Sequence, residues 1–266
     1  MEATRPTTRG YLSSIGVPDL PPLTSPFDPG YDPATLESHL DQSAHLISSL
    51  KISMACWLVA DESSTRRKFN AARARGVPTV TGGGPFEVAV AQGKLDEYLD
   101  LCADLNVSRI ECGEGFTDLT MEPRAIVSMA HRRGLEVQYE MGKKHEGPFT
   151  EESLVETIEA GRQWLDAGAV QLVVEARESA AGVGTFAADG SFNGEFATRI
   201  ADEFGLDALI FEAPNKPSQF ALLEYFGRNV RLGNVRLEEL LRVEIFRRGL
   251  HSDAFQIPKL RPEVKS

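Results

Sequence analysis

The sequence is poor in cysteine and contains no long run of apolar residues. Its 266 residues include only three cysteines, an odd number without metal-type spacing, which argues against a disulfide framework and fits a reducing environment. No stretch approaches the roughly 18 apolar residues of a membrane span, and the N-terminus lacks the apolar core of a signal peptide. We therefore expect a cytoplasmic protein without a membrane partner.

The sequence also has no cluster of basic residues. Asp and Glu number 39 against 28 Lys and Arg, for a formal net charge of −11, and no Lys/Arg block marks a nucleic-acid contact. P-loop, dinucleotide-binding and G-x-S-x-G nucleophile motifs are all missing. Nucleic acid is therefore not an expected partner, and a small anionic substrate would have to be held by a local basic patch.

Short apolar runs alternate with longer segments of helical periodicity from residue 24 onward. Several of the predicted helices end at a glycine before the next apolar run. Strand, helix and glycine in repetition are typical of parallel βα units, and eight units favour a (β/α)₈ TIM barrel over an open doubly wound sheet, which stays the alternative. The predicted strands cover residues 24–27, 50–54, 79–80, 109–112, 136–140, 171–175, 208–212 and 230–232.

The two ends of the chain differ from its middle. Residues 1–23 are polar and proline-rich and are predicted to form an irregular arm, and residues 257–266 are predicted to form a C-terminal tail. No low-complexity linker interrupts residues 24–256. We therefore expect this middle part to form one barrel domain.

Glutamates end four of the predicted strands. Catalytic groups of a barrel lie at the carboxyl ends of its strands, so these four carboxylates should meet on one rim. Carboxylates without partners raise each other's pKa, and a divalent cation or basic groups would relieve this. Oxygen ligands without thiols suit Mg²⁺; the alternative is that some of these glutamates only pair with Lys or Arg and stabilise the barrel. The predicted metal ligands are Glu111, Glu140, Glu175 and Glu212.

Basic residues and glycines follow the same strand ends. Lys or Arg beside carboxylates is what a phosphate or carboxylate ligand requires, although a lone lysine usually belongs to a solvated loop. Glycines let backbone N–H groups approach a phosphate closely, although barrels need tight turns in any case. The basic candidates are Lys143, Lys144, Arg177 and Lys216, and the glycine-loop candidates are Gly83, Gly84, Gly182, Gly184 and the adjoining Asn234.

These loops resemble those of the phosphosulfolactate synthase family. The likeness is dense from about residue 77 to residue 255. The matching segments are Gly-Gly-Pro-Phe-Glu at 83–87, Gln-Gly-Lys-Leu-Asp-Glu at 92–97, Met-Gly-Lys-Lys at 141–144, Ala-Arg-Glu-Ser at 176–179, Gly-Val-Gly at 182–184, Phe-Glu-Ala-Pro-Asn-Lys at 211–216 and Glu-Ile-Phe-Arg-Arg-Gly-Leu-His-Ser-Asp at 244–253.

The resemblance implies a (β/α)₈ carbon–sulfur lyase-type enzyme that uses Mg²⁺, assembles into homo-oligomers, expected to be trimers, and adds sulfite to phosphoenolpyruvate. Metal and basic groups would hold the phosphate and carboxylate, while Lys143 or Lys144, with Glu140 nearby, would deliver a proton to C2. The implied substrate-binding residues are Lys51, Gly83, Gly84, Glu114, Arg177, Glu178, Gly182, Gly184, Lys216 and Asn234.

The first strand-end loops depart from the family pattern. Pro29 stands where the family has a lysine, and bulky Met54 and Trp57 follow Lys51 where the family has a small glycine-rich turn, while Glu114 replaces an aspartate. Bulky apolar groups are expected to shrink or dry a pocket for a small dianion. Three interpretations stay open: the sulfite reaction with compensating contacts, related addition or elimination chemistry on another small phosphoenolpyruvate-like substrate with a less charged partner, and a non-catalytic binding or stress-related barrel.

Overall fold

Eight parallel strands close into a barrel in the order β1 to β8 in this computed structural model, which describes residues 7–52 and 54–263. Each strand pairs in parallel with the next, and β1 pairs with β8. The predicted barrel is therefore confirmed, and the open sheet is excluded. The strands are β1 Thr24–Asp28, β2 Leu50–Ile52, β3 Thr79–Thr81, β4 Arg109–Gly113, β5 Glu136–Met141, β6 Gln171–Val174, β7 Leu209–Glu212 and β8 Leu232–Arg236.

Helices follow the strands and form the outer layer. The main helices are α2 Pro33–Ser43, α4 Glu62–Ala74, α5 Gly83–Ala91, α6 Leu95–Asp104, α7 Pro123–His131, α8 Glu151–Ala167, α9 Gly194–Phe204, α10 Lys216–Phe226 and α11 Leu240–Arg247, and the shorter ones are α1 Thr8–Ser14, α3 Cys56–Val59 and α12 Ser252–Phe255. Local signals explain where α8 starts and stops: Thr150 and Ser153 form a capping box, and Gly168 ends the helix with a φ of 110°. None of the described helices is both long and apolar enough to cross a membrane.

Apolar side chains fill the layer between strands and helices. Tyr139 of β5 stacks on Trp164 of α8 with ring centroids 4.7 Å apart, and Phe220 of α10 stacks on Phe246 of α11 at 3.7 Å. Such contacts hold helices against strands and against neighbouring helices, because burial of aromatic surface dominates core energetics. The strand ends are thereby held in fixed positions around the rim.

The two chain ends differ from the sequence-based expectation. The arm that we expected to be irregular contains helix α1, and the backbone N–H of Glu263 in the tail donates to the Gly16 carbonyl at 3.2 Å. Leu260 of the tail is fully buried, so the tail contributes to the core near the arm. Residues 1–6 of the arm, 264–266 of the tail and Ser53 of the second predicted strand lie outside the described residues.

Strand β8 begins later and runs further than predicted. Residues 230–232 were expected, whereas the structure places the strand at Leu232–Arg236. The difference arises because the Gly233-Asn234 sequence is typical of a turn. In the structure Gly233 lies within the strand, where a Cβ would meet the Ile210 side chain of β7 at 2.7 Å.

Candidate active site

The carboxyl ends of the strands enclose a cavity of about 1060 Å³. The four predicted glutamates all line it, and all four are almost completely buried. Glu111 lies in β4, Glu140 in β5, Glu212 at the end of β7, and Glu175 directly after β6. Alternate residues of a barrel strand point inward, and the equivalent positions of these four residues bring their carboxylates to one rim.

Lys51 of β2 bridges two of these carboxylates. Its Nζ lies 2.9 Å from Glu111 Oε1 and 3.5 Å from Glu212 Oε1. Burial opposes the charge of the lysine, but the attraction of Glu111, Glu212 and Glu140 together outweighs it and raises the pKa of Lys51 above its usual value. Lys51 is therefore a cation at neutral pH, held at the floor of the cavity.

Lys144 bridges the other two carboxylates. Its Nζ lies 3.1 Å from Glu140 Oε1 and 3.6 Å from Glu175 Oε2. Burial again favours the neutral amine, and Glu140, Glu175 and Glu111 again outweigh it and raise the pKa of Lys144. The loop after β5 thus supplies a second fixed cation that is also a proton donor.

Two of the acidic partners of these lysines, Glu175 and Glu111, hold protons more tightly than exposed glutamates do. Burial, followed by repulsion from Glu212 and Glu140, raises the pKa of Glu175, and burial is also the main cause that raises the pKa of Glu111. At full ionisation, the four carboxylates and two ammonium groups leave two negative charges uncompensated. Protons, a cation or a basic substrate-binding group must offset this charge.

Neutral donors fix the orientation of two glutamates. Glu111 accepts hydrogen bonds from the Gln138 side chain at 2.7 Å and from the Gly83 N–H at 3.0 Å, and Glu212 accepts one from the Ala176 N–H at 3.0 Å. In contrast, Glu140 Oε1 and Glu175 Oε2 are buried and form no well-aligned hydrogen bond with any described residue, although the Lys144 ammonium lies 3.1 and 3.6 Å from them. These two oxygens therefore have the greatest unmet need for a cation or a donor.

No preformed metal cluster exists within residues 7–52 and 54–263, because nowhere there do three or more His, Cys, Asp or Glu side chains surround a common point. The carboxylates are instead interleaved with Lys51 and Lys144. The alternative interpretation of the sequence, in which glutamates pair with lysines, thus describes part of what these residues do. A cation here would have one or two carboxylate ligands rather than four.

Two sides of the cavity have opposite character. Polar and charged residues from the loop after β6 and from β8 itself form a charged side, namely Arg177, Glu178, Asn234 and Arg236. Apolar groups from the segments that follow β2, β3 and β4 form the opposite side, which we call the apolar wall; its members are Met54, Leu58, Val88 and Phe116. A ligand bound across the cavity therefore meets charge at one end and hydrocarbon at the other.

Trp57 does not face the cavity, contrary to the expectation from sequence. It is buried and packs edge-on against Phe69, with ring centroids 6.1 Å apart, and near Tyr98 at 6.3 Å. Met54 does line the cavity and adopts a left-handed backbone conformation with a φ of 48°. The sequence-based prediction is wrong because these residues form helix α3, Cys56–Val59, in which successive side chains point about 100° apart. Leu58 therefore reaches the cavity, whereas Trp57 points into the core.

Several predicted site residues lie outside the main cavity. Lys143 and Glu114 line a neighbouring cavity of about 310 Å³, where Lys143 Nζ lies 3.2 Å from Glu146 Oε1. Lys216 is the first residue of α10, and its Nζ lies 5.0 Å above the Phe220 ring. Apart from Gly182 and Gly184, the remaining predicted residues line the main cavity: Lys51, Gly83, Gly84, Glu111, Glu140, Lys144, Glu175, Arg177, Glu178, Glu212 and Asn234.

The glycines after β6 shape the loop and do not line the main cavity. Gly184 has a φ of 54°, and a Cβ there would lie 2.3 Å from the Glu175 carbonyl oxygen. Gly182 also has a positive φ, 69°. They allow the loop to fold tightly over Glu175, which is a structural reason for glycine at these positions.

Two residues of the site were missed in the sequence. Arg236 lines the charged side at the end of β8. The sequence predicts this strand at residues 230–232, so Arg236 does not fall at a predicted strand end. Glu87, within the Gly-Gly-Pro-Phe-Glu segment, is completely buried, and its Oε2 accepts hydrogen bonds from the backbone N–H groups of Phe116 and Thr117, both at 2.9 Å. The signal for Glu87 was its position as the one acidic residue of the apolar helix α5.

A closed (β/α)₈ barrel with buried lysine–glutamate pairs at the carboxyl ends of its strands is the architecture of a barrel enzyme. The family model described as (2R)-phospho-3-sulfolactate synthase (ComA) matches residues 21–253. The chain therefore belongs to the phosphosulfolactate synthase family, a family of enzymes.

Individual relatives agree with this assignment. The phosphosulfolactate synthase of Methanocaldococcus jannaschii is 32% identical over 234 residues, which cover 88% of this chain and 93% of the relative. That of Methanothermobacter thermautotrophicus is 28% identical over 234 residues, covering 87% and 90%. Among solved structures, the YdjI aldolase from Escherichia coli K12 superposes with a TM-score of 0.55 at 14% identity over 91% of this chain and 94% of the other, a likeness that concerns the fold alone.

Proposed function

We propose that this enzyme adds a sulfur nucleophile to C3 of phosphoenolpyruvate; sulfite is the nucleophile that the family resemblance implies, and a less charged sulfur nucleophile is the alternative raised by the altered first strand-end loops. The observation that carries the proposal is the pair of partly buried lysines, each bridging two buried glutamates at the cavity floor. Membership of the phosphosulfolactate synthase family supports the same chemistry. Fold alone would not, since barrels host many reactions.

The charged side of the cavity suits the anionic groups of phosphoenolpyruvate. Arg177 and Arg236 border it, and Lys51 lies at its floor. Guanidinium groups bind phosphate and carboxylate through paired N–H donors, and a partly enclosed site strengthens each contact. The local cations would thus draw in a substrate that the overall charge of −11 would otherwise repel.

Glu140 and Glu175 fit a Mg²⁺ ion. Each has a buried carboxylate oxygen that forms no well-aligned hydrogen bond with a described residue and has Lys144 Nζ as a neighbour at 3.1 or 3.6 Å, and Mg²⁺ commonly takes one or two carboxylates together with water and substrate oxygens. When bound, the ion would offset carboxylate charge and polarise the substrate carboxylate. Glu111 and Glu212, which already accept hydrogen bonds from Gly83 and Ala176, would hold Lys51 instead.

Lys144 would supply the proton that addition requires. Addition at C3 leaves an electron pair at C2, and a positioned cationic acid can protonate it. The Lys144 ammonium faces the cavity between Glu140 and Glu175, which keep it charged. The neighbouring Glu175, whose own pKa is raised, can return a proton to the lysine after each turnover.

The proposal is tested by incubating purified protein with phosphoenolpyruvate, sulfite and Mg²⁺ and following phosphosulfolactate by mass spectrometry. Calorimetric titration with phosphoenolpyruvate, with and without Mg²⁺, measures binding independently of turnover. We expect Glu175→Gln to raise the Mg²⁺ concentration for half-maximal effect at least about tenfold, while Glu146→Gln, on the exposed partner of Lys143, serves as the matched control. Failure to bind phosphoenolpyruvate under any condition would refute the proposal.

The assembly and the location of the enzyme complete the proposal. We expect a homo-oligomer, with the trimer as the first candidate, acting in the cytoplasm on a small anionic substrate. Light scattering coupled to size-exclusion chromatography measures the number of subunits directly, and a strictly monomeric active enzyme would contradict this part.

A further inference from the structure

The apolar wall is exposed inside a cavity that also holds the charged floor. The side chains of Met54, Leu58, Val88 and Phe116 are 51%, 45%, 52% and 50% exposed, respectively, and all four line the main cavity. Large apolar groups exposed together in a concave surface are characteristic of ligand-binding sites, because contact with an apolar ligand group removes them from water.

The backbone around Met54 indicates that the surrounding structure holds this residue in the apolar wall. Met54 has a φ of 48°, a conformation that a bulky side chain rarely adopts and that persists only where surrounding structure imposes it. Gly82 packs against this turn, since a Cβ on Gly82 would lie 3.2 Å from the Met54 backbone nitrogen. The turn is therefore held in the orientation that puts Met54 in the cavity.

A small inorganic dianion has no apolar group that could contact the apolar wall. Sulfite and phosphoenolpyruvate are both small and strongly anionic, whereas the cavity has a volume of about 1060 Å³ and a floor of four glutamates. Next to an apolar surface an anion loses hydration without gaining a partner. A neutral nucleophile with a hydrocarbon group would instead bury the wall and bring no further negative charge to the floor.

Resting on the proposed function, we infer that the nucleophile is an organic thiol whose apolar substituent lies against Met54, Leu58, Val88 and Phe116. The thiol loses its proton to a carboxylate of the cavity, and its sulfur forms a bond to C3 of phosphoenolpyruvate. The π-electron pair of the C2–C3 double bond moves to C2, which takes a proton from Lys144. The product is a thioether of 2-phospholactate, with the phosphate retained, and no oxidant or reductant takes part.

The test measures kcat/KM for a series of nucleophiles with saturating phosphoenolpyruvate and Mg²⁺. The series is sulfite, 2-mercaptoethanol, ethanethiol, butanethiol and benzyl mercaptan, each with a reaction lacking enzyme as background. Each buried methylene should raise kcat/KM about fourfold, so butanethiol should exceed ethanethiol on the order of tenfold. Equal or better use of sulfite and 2-mercaptoethanol would overturn the inference while leaving the proposed function intact.

A matched pair of substitutions on one helix separates wall contact from general damage. Leu58 lines the cavity, whereas the adjacent Val59 is 86% exposed and does not. We expect Leu58→Ser and Phe116→Ser to lower the ratio of kcat/KM for butanethiol to that for ethanethiol at least about threefold, and Val59→Ser to leave this ratio unchanged. An unchanged ratio in the wall variants would overturn the inference.

Two other outcomes are also decisive. Absence of product with every nucleophile, when phosphoenolpyruvate still binds, would overturn both the inference and the proposed addition reaction. If Leu58→Ser but not Val59→Ser dissociates an oligomer in light scattering, the wall is a contact between subunits, and the inference is overturned.

Discussion

Lys144 Nζ lies 3.1 Å from Glu140 Oε1 and 3.6 Å from Glu175 Oε2, so that one ammonium group separates two buried carboxylates. Because that lysine provides both charge and a proton, we expect Lys144→Met to lower kcat at least about 100-fold. Lys143→Met is the informative comparison, since Lys143 pairs with Glu146 outside the main cavity. Steady-state kinetics on the two variants decide which lysine acts, and equal losses would contradict our placement of the proton donor.

Glu87 should be a positioning residue for the loop that carries Phe116. Its Oε2 accepts the N–H groups of Phe116 and Thr117 and, at 3.0 Å, the Thr117 hydroxyl. We expect Glu87→Ala to lower the free energy of unfolding by about 3 kcal/mol, because it leaves buried donors without an acceptor. Thr117→Val removes only one of the three bonds and should cost about 1 kcal/mol. Urea denaturation measures both, and equal stability of Glu87→Ala and wild type would contradict this role.

Arg247 closes the opposite end of the barrel from the cavity. It is fully buried and donates to Glu244 Oε1 at 3.0 Å, to the Val230 carbonyl at 2.7 Å and to Thr24 Oγ1 at 3.1 Å. We expect Arg247→Met to destabilise the protein by about 3–5 kcal/mol, because Glu244 would keep Arg248 as its remaining cationic partner while the Val230 carbonyl and the Thr24 hydroxyl would lose their buried donor.

A surface arginine provides the control for this substitution. Arg66 makes ion pairs with Glu62 and Asp104, and all three of these side chains are exposed. Solvent screens such pairs, so Arg66→Met should change the midpoint of urea denaturation far less than Arg247→Met. Similar effects of the two substitutions would show that burial does not set the strength of the Arg247 network.

Cys102 should be inert to alkylation in the folded protein. Burial raises the pKa of its thiol to about 12, so the reactive thiolate is scarce at pH 8. The Cys102 thiol ionises at a lower pH in the unfolded chain than in the folded protein. Its contribution to the free energy of unfolding is therefore full below about pH 9 and is lost as the pH rises towards 12. Peptide mass spectrometry after iodoacetamide treatment should find modification at the partly exposed Cys56; comparable rates at Cys102 would contradict the prediction.

The barrel and its acidic rim were predictable because both follow from local periodicity. Each strand is a short apolar run, and glutamates at equivalent strand ends must reach the same rim once parallel strands close into a barrel. The regular spacing of strand and helix carries this information along the chain itself. Family resemblance extended it to the loops, where Lys51, Lys144 and Arg177 line the cavity as expected.

The sequence by itself therefore determined the fold, the family and most of the charged groups at the rim, because these depend on residue type and on position within each βα unit. Only the tertiary structure decided which charges pair: Lys51 with Glu111 and Glu212, and Lys144 with Glu140 and Glu175. It also turned Trp57 into the core and left Met54 in the cavity. Pairing and side-chain direction depend on distances between different βα units and on backbone dihedral angles, and neither follows from spacing along the chain.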